Sequence, residues 1–208
     1  MIKLRILAAL AALVGVMAPL TSSAESNIQT GTGALSASSK LDFRITVPKM
    51  LYLRVGTSAA GLVTNGTVDL IDYVVPAGNN GDGTVLAATA GSGDLGNGAV
   101  TAKVIGNAGN ITFTSTTTGA LGNGAGDTIS FTKIAAASAV LTSAIALPHP
   151  TFVDGGTSTP LTLTAVSKVV NQDARWTFTY LNNAIAPAGT FGGVNTNNSR
   201  VTYTAVLP

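Results

Sequence analysis

The sequence contains no cysteine, and this absence excludes several classes of protein at once. A chain without cysteine has no disulfide framework, no cysteine-linked lipid anchor, no thiolate nucleophile and no cysteine-ligated metal. Histidine is nearly absent too, because His149 is the only one among 208 residues. This excludes a metal site built on two histidines. Since Pro148 and Pro150 flank His149, we expect it to lie in a loop rather than to act as a general base.

The N-terminal segment has the three parts of a secretory signal peptide. Lys3 and Arg5 supply the positive region, residues 6–20 form an apolar run, and Ser22 and Ala24 are the small residues before a cleavage site. The apolar run is shorter than the roughly 20 residues that span a bilayer. We therefore expect cleavage after Ala24, passage through a periplasm, and a cell-surface or extracellular location with no transmembrane segment after signal removal.

Charge is scarce, and the expected mature chain carries no net charge. The whole sequence has eleven basic and nine acidic residues, and Lys3 and Arg5 belong to the signal. Nine residues of each sign then remain, without a basic patch. We therefore do not expect nucleic acid as a partner. A low charge also leaves little electrostatic barrier to self-association.

The chain is expected to have three parts: a signal peptide over residues 1–24, a flexible N-terminal leader over residues 25–40, and a β-sandwich domain over residues 41–208. The leader is polar and composed of small residues, with Ile28 and Leu35 as its only sizeable apolar side chains.

The most regular pattern follows the leader. Apolar and polar residues alternate through residues 41–47, which is the period of a strand with one face in a core. Pro48 interrupts the alternation, and it resumes over residues 51–55. Because proline cannot donate to a sheet ladder, we expect a strand that turns a corner here, organises the domain and places Phe43 in the core.

Short β-patterns and glycine-rich turns fill the rest of the chain. Threonine alternates with apolar residues in most of them, so each strand has one apolar face and one uncharged polar face. Four Asn-Gly pairs favour type I′ hairpin turns, and the alanine-rich run 134–145 leaves room for a helical turn. These patterns predict an all-β fold, an antiparallel immunoglobulin-like β-sandwich of about eight to ten strands. The expected strands are residues 67–75, 100–105, 111–115, 128–134, 161–170, 175–181 and 200–207.

The C-terminal residues resemble a known group of proteins. The sequence PAGTF at 187–191 and, after a connector, RVTYTAVLP at 200–208 are similar to the closing strand of bacterial immunoglobulin-like surface subunits, including pilins of the chaperone-usher kind. The resemblance implies a fimbrial subunit that polymerises when the N-terminal extension of one subunit completes the sandwich of its neighbour.

The glycine-rich loops invite a calcium site, because they contain aspartate and asparagine. Neither the EF-hand spacing nor the calcium-binding nonapeptide repeat is met, so we interpret these loops as tight turns. The loops are residues 79–83, 91–98 and 122–127. We therefore predict no metal, no cofactor and no catalytic residue, that is, no enzyme.

Aromatic residues make up 5% of the chain, and Trp176, Phe178 and Tyr180 alternate along one expected strand. An exposed aromatic strip would indicate carbohydrate stacking, but the same spacing is typical of a core strand. We assign Trp176 and Phe178, together with Tyr203, to the core.

Two functions remain open at this point. The first is a secreted, non-catalytic structural or adhesive surface protein that self-assembles, or assembles with other surface subunits, by β-strand addition. The alternative is an extracellular carbohydrate- or ligand-binding β-sandwich module. For the first function the candidate assembly contacts are Ile28 and Leu35, with Leu41, Phe43 and Ile45 as the alternative donor set.

Overall fold

The computed structural model describes residues 25–208, so the expected signal peptide lies outside the described residues. The chain divides into two compact units, Met1–Val47 and Pro48–Pro208. The described part of the first unit, residues 25–47, forms neither helix nor strand. Across residues 25–208, no helix is long and apolar enough to cross a membrane.

The second unit is nearly all β, with two three-residue 3₁₀ turns as its only helical parts among the described residues. Four of its eleven strands have only two residues. The strands are β1 (Leu51–Val55), β2 (Leu86–Ala87), β3 (Ala99–Gly106), β4 (Ile111–Thr117), β5 (Leu121–Gly122), β6 (Thr128–Ile129), β7 (Ile134–Ala139), β8 (Gly156–Thr157), β9 (Leu161–Leu163), β10 (Val170–Tyr180) and β11 (Thr202–Val206).

Two antiparallel sheets carry most of these strands. In the larger sheet, β10 pairs with β3, β7 and β2, and β1 pairs with the other edge of β3. In the smaller sheet, β4 pairs with β11, β8 and β9. The strands β5 and β6 form a separate two-stranded ribbon.

Side chains from both sheets form one hydrophobic core, which gives a sandwich-like arrangement. Trp176 on β10 and Phe113 on β4 are both fully buried, and their rings stack with centroids 6.1 Å apart. On β10 the core-facing residues alternate with the others, as the period of a strand requires. The predictions that Trp176 and Phe178 are core residues are confirmed, and Tyr203 packs partly buried against the same cluster.

The threonine-apolar alternation located the main strands correctly. Four expected strands, at 100–105, 111–115, 175–181 and 200–207, correspond to β3, β4, β10 and β11. The segment 51–55 is β1. The expected strands at 128–134 and 161–170 are broken into shorter pieces, since a 3₁₀ turn at Phe131–Lys133 interrupts the first and β9 ends at Leu163 in the second.

Three sequence-based predictions about local structure are wrong. Residues 41–47 form no strand, and the side chain of Phe43 is 85% exposed rather than in the core. Residues 67–75 form no strand either, although Ile71 and Tyr73 pack against the core. The alanine-rich run begins with the strand β7 instead of a helical turn, because its residues pair with β10.

The four Asn-Gly pairs do not share one geometry. Only Asn97 and Gly98 both have positive φ, at 52° and 75°, as a type I′ turn requires. The amide of Ala99 closes this turn by donating to the carbonyl of Gly96 at 3.0 Å. A side chain at Gly98 would place its Cβ 2.7 Å from the Cβ of Ala88, so close packing as well as φ selects glycine here.

Candidate functional site

The segment 41–47 presents a row of apolar side chains to solvent. Its apolar residues alternate with Asp42, Arg44 and Thr46, and the seven residues form no strand. The exposed fractions are 73% for Leu41, 85% for Phe43, 88% for Ile45 and 72% for Val47. Scattered exposed apolar residues are ordinary, but a contiguous row of four is a candidate interaction surface.

The leader residues Ile28 and Leu35 are exposed as well, by 86% and 53%. They are separated by six residues of which none is a large apolar one, and the surrounding leader has no strand pattern. Nothing in the described chain brings Ile28 and Leu35 together with Leu41, Phe43 and Ile45. Their roles as assembly contacts stay predictions.

The strands β1 and β11 are the edges of their respective sheets, with one strand partner each. They run close together, since some of their Cα atoms lie within 8 Å. At one end of this pair the ammonium of Lys49 donates a hydrogen bond to the carbonyl of Pro208. The two sheets therefore present open edges on the same side of the core.

The core is incompletely covered along this side. Tyr203, Ala205 and Leu207 pack against the core from β11 and its end, yet each is only partly buried. Leu53 and Val55 on β1 are partly buried in the same way. The corresponding residues of inner strands, such as Val104 and Phe113, have no exposed surface. An additional strand on this side would cover the half-buried rows.

Two grooves flank these edges. One, of about 380 Å³, lies between β1 and the following loop, and its lining includes Leu62 and Val63. The other, of about 410 Å³, lies where the chain enters β11, and hydroxyl and amide side chains with Arg200 line it. No aromatic residue lines the second groove. Because Trp176 and Phe178 are buried, the aromatic strip that carbohydrate stacking would use is not on the surface.

The aspartates of the glycine-rich loops accept hydrogen bonds from their own surroundings. Asp82 accepts from the amide of Thr84 at 2.7 Å and from the side chain of Asn79 at 2.7 Å, and these bonds hold the pKa of Asp82 below its usual value. Asp94 accepts from the amide of Thr101 at 2.7 Å and from Arg54 at 2.9 Å. Such bonds support the interpretation of these loops as turns.

The carboxylates of Asp154 and Asp127 also accept hydrogen bonds from nearby groups. Asp154 accepts from the amide of Phe131 at 2.7 Å, and Asp127 accepts from the side chain of Asn123 at 2.8 Å. Within residues 25–208, no group of three histidine or acidic side chains is placed to hold a metal ion.

His149 lies in a segment without regular structure, as expected, but not in an ordinary surface loop. Its imidazole is mostly buried among four aromatic rings, with centroids 4.6 to 5.5 Å away. Its Nε2 is 2.7 Å from the hydroxyl of Tyr203. The sequence shows only a histidine between prolines. The contact between His149 and Tyr203 could not be predicted from it, because the two residues are 54 positions apart.

Comparisons with protein-family models, with curated proteins and with solved structures found no match.

Proposed function

We propose that this protein is a secreted, non-catalytic structural or adhesive surface subunit that assembles into fibres by β-strand addition. The observation that carries the proposal is the exposed, alternating apolar row of residues 41–47 in a chain whose two sheets end in adjacent open edges. The segment 41–47 of one copy is the donor, and the free edge of β11 in the next copy is the acceptor.

The apolar row of the segment 41–47 would be buried if the segment paired as a strand with another copy of the chain. Burying a large apolar side chain contributes roughly 1.5 to 3 kcal/mol, so burying Leu41, Phe43, Ile45 and Val47 together is worth about 6 to 12 kcal/mol before the cost of ordering the segment. Residues 25–40 offer only Ile28 and Leu35 for the same purpose. The stronger pattern favours the segment 41–47 as donor.

The edge of β11 is the acceptor in this proposal. Its core-facing side chains Tyr203, Ala205 and Leu207 are only partly buried, so a strand beside it gains both backbone hydrogen bonds and apolar contacts. The edge of β1 is flanked by the loop that contains Leu62 and Val63. The edge formed by β8 and β9 is interrupted by Pro160, which offers no N–H.

An immunoglobulin-like arrangement of the strands and the resemblance of residues 187–208 to fimbrial subunits belong to the same proposal. So does export, for which the signal-like residues 1–24 are the support. N-terminal sequencing of the protein recovered from outside the cell is expected to begin at Glu25. Material that begins at Met1 would contradict export by cleavage.

Deletions locate the donor. The chain from Glu25 onward is compared by sedimentation velocity with chains that lack residues 25–40 or residues 25–47. We expect the intact chain and the first deletion to form large assemblies and the second deletion to be a monomer. Loss of assembly in the first deletion would move the donor to Ile28 and Leu35. A monomer in all three cases, or assembly in all three, would contradict the proposal.

A pair of point variants tests whether assembly depends on the apolar side chains of the segment 41–47 and not only on the presence of the segment. Ile45→Asp places a charge in the apolar row, whereas Thr46→Asp places the same charge in the polar row one residue later. Both side chains are exposed, so neither change should affect the folding of the domain. We expect Ile45→Asp to abolish assembly and Thr46→Asp to preserve it.

A further inference from the structure

His149 connects the segment 147–153 to the strand β11, and these two parts of the fold do not pair as strands. It belongs to the segment 147–153, which crosses between the two sheets. The segment is held on one side by Trp176, whose Nε1 donates to the carbonyl of Leu147 at 2.8 Å. On the other side, the hydroxyl of Ser115 on β4 donates to the carbonyl of Thr151 at 3.2 Å.

Among the described residues, the side chain of His149 has two polar contacts, one with the backbone carbonyl of the adjacent Pro150 and one with β11. Its Nε2 and the hydroxyl of Tyr203 are 2.7 Å apart, while Phe152, Trp176 and Phe178 surround the rest of the ring. The edge strand is therefore tied through Tyr203 to the segment that fills the space between the sheets.

No charged group among the described residues compensates a charge on His149. On β10, which packs against it, Asp173 and Arg175 lie on the opposite face from Trp176 and Phe178. The strand β11 has no charged residue. In the segment's own continuation, Asp154 accepts a hydrogen bond from the amide of Phe131. Within the part of the chain that the structure describes, the phenol of Tyr203 is the titratable group in contact with the imidazole.

We propose that the contact between His149 and Tyr203 is an acid-sensitive latch, such that protonation of His149 releases β11 from the segment 147–153 while β3 and β10 stay paired. The strand β11 yields first because it has a partner on one side only, β4, whereas β10 has partners on both sides. The latch is a property of the folded subunit and does not rest on strand addition.

The direction of the pH dependence follows from the burial of the imidazole. Burial lowers the pKa of His149 from its ordinary 6.5 to about 4, because a charged imidazole loses its hydration among the aromatic rings. In the released state the imidazole regains its ordinary pKa and takes up a proton more readily. The state in which β11 contacts the segment 147–153 is therefore most stable above pH 6.5. Its stability relative to the released state decreases as the pH falls from 6.5 toward 4.

Hydrogen exchange at the backbone amides of β11 tests the latch, and it is measured in the Ile45→Asp chain so that no donor strand protects β11. Protection factors, which correct for the intrinsic pH dependence of exchange, are measured for β11 and for the β3 and β10 pair. From pH 7 to pH 5 the change in proton affinity predicts that protection of β11 falls roughly twentyfold. Protection of β3 and β10 should stay unchanged over this range.

A double variant, His149→Phe with Tyr203→Phe, provides the control. It removes both polar partners and keeps two aromatic rings, and replacing both partners of a buried hydrogen bond by apolar groups is nearly neutral for stability. We expect β11 in this variant to show no fall in protection between pH 7 and pH 5. An equal fall in the double variant would overturn the latch.

Measurements on the Ile45→Asp chain with His149 and Tyr203 unaltered decide between the outcomes even if the double variant does not fold. An unchanged protection of β11 between pH 7 and pH 5 would overturn the proposal. So would an equal loss of protection in β11, β3 and β10, because it would indicate global unfolding instead of release of one edge strand. An NMR titration that gives His149 its ordinary pKa while β11 stays protected would overturn it as well.

Discussion

The carboxylate of Asp173 accepts hydrogen bonds from both the backbone amide, at 2.8 Å, and the hydroxyl of Thr142. The amide of Ser143 donates to the same carboxylate at 2.9 Å. Asp173 is buried, with 4% of its surface exposed, and it fixes the turn that follows β7 against the outer face of β10. Burial alone would raise the pKa of Asp173, but the bonds from Thr142 and Ser143 outweigh it and hold the pKa well below its usual value.

This arrangement predicts that Asp173→Asn lowers the free energy of unfolding by about 1 to 3 kcal/mol at pH 7, because donors aimed at a carboxylate lose part of their acceptor. In the unaltered protein, the unfolded state takes up a proton near pH 3.8 while the folded state does not. The contribution of Asp173 to the free energy of unfolding is therefore complete well above pH 3.8 and is lost as the pH falls below it.

Urea unfolding at pH 7 and at pH 3 measures both effects. The difference in stability between the unaltered protein and Asp173→Asn should narrow at pH 3. The matched control is Asp127→Asn, an exposed aspartate of a turn, which should change stability little at either pH. A constant difference at both pH values would show that the carboxylate charge is not what stabilises the turn.

Substitution by alanine is predicted to lower the free energy of unfolding much more at Trp176 than at Phe43. Trp176→Ala removes a fully buried indole, and such changes typically cost about 3 to 5 kcal/mol. Phe43→Ala removes a ring that is 85% exposed, which should change the stability of the monomer by less than about 0.5 kcal/mol. Chemical denaturation of the two variants is the measurement, and similar losses for both would place Phe43 in the core.

Chelation is expected to leave the melting temperature unchanged. The aspartates of the glycine-rich loops already accept hydrogen bonds from amides and side chains, as Asp82 and Asp94 show. A metal that bound the folded state would raise the melting temperature by mass action. Calorimetry with and without EDTA tests this, and a decrease of more than about 3 °C on chelation would reveal a metal site in these loops.

The sequence predicted the all-β class and the main strands because alternation reports which side chains of a strand are buried. It failed for residues 41–47 because the same alternation does not reveal whether a partner strand exists within one chain. It also gave no sign of the contacts between Asp173 and Thr142 or between His149 and Tyr203. These depend on residues 31 and 54 positions apart that only tertiary packing brings together.

The absence of cysteine makes the central claim, addition of the segment 41–47 beside β11 of another copy, directly testable by disulfide cross-linking. One chain carries Asp42→Cys, Arg44→Cys or Thr46→Cys in the polar row of the donor, and the other carries Thr204→Cys, which points away from the core on β11. Neighbouring residues on paired strands bring Cβ atoms to about 4.5 to 5.5 Å, close enough for a disulfide after small adjustments.

The single-cysteine chains are mixed under oxidising conditions, and the mixed dimer is identified by mass spectrometry. Thr159→Cys, at an exposed position between β8 and β9, serves as the control acceptor. The account predicts a mixed disulfide between one donor position and Thr204→Cys, in clear excess over the control. Equal cross-linking to both acceptors, or none to Thr204→Cys, would contradict strand addition at β11.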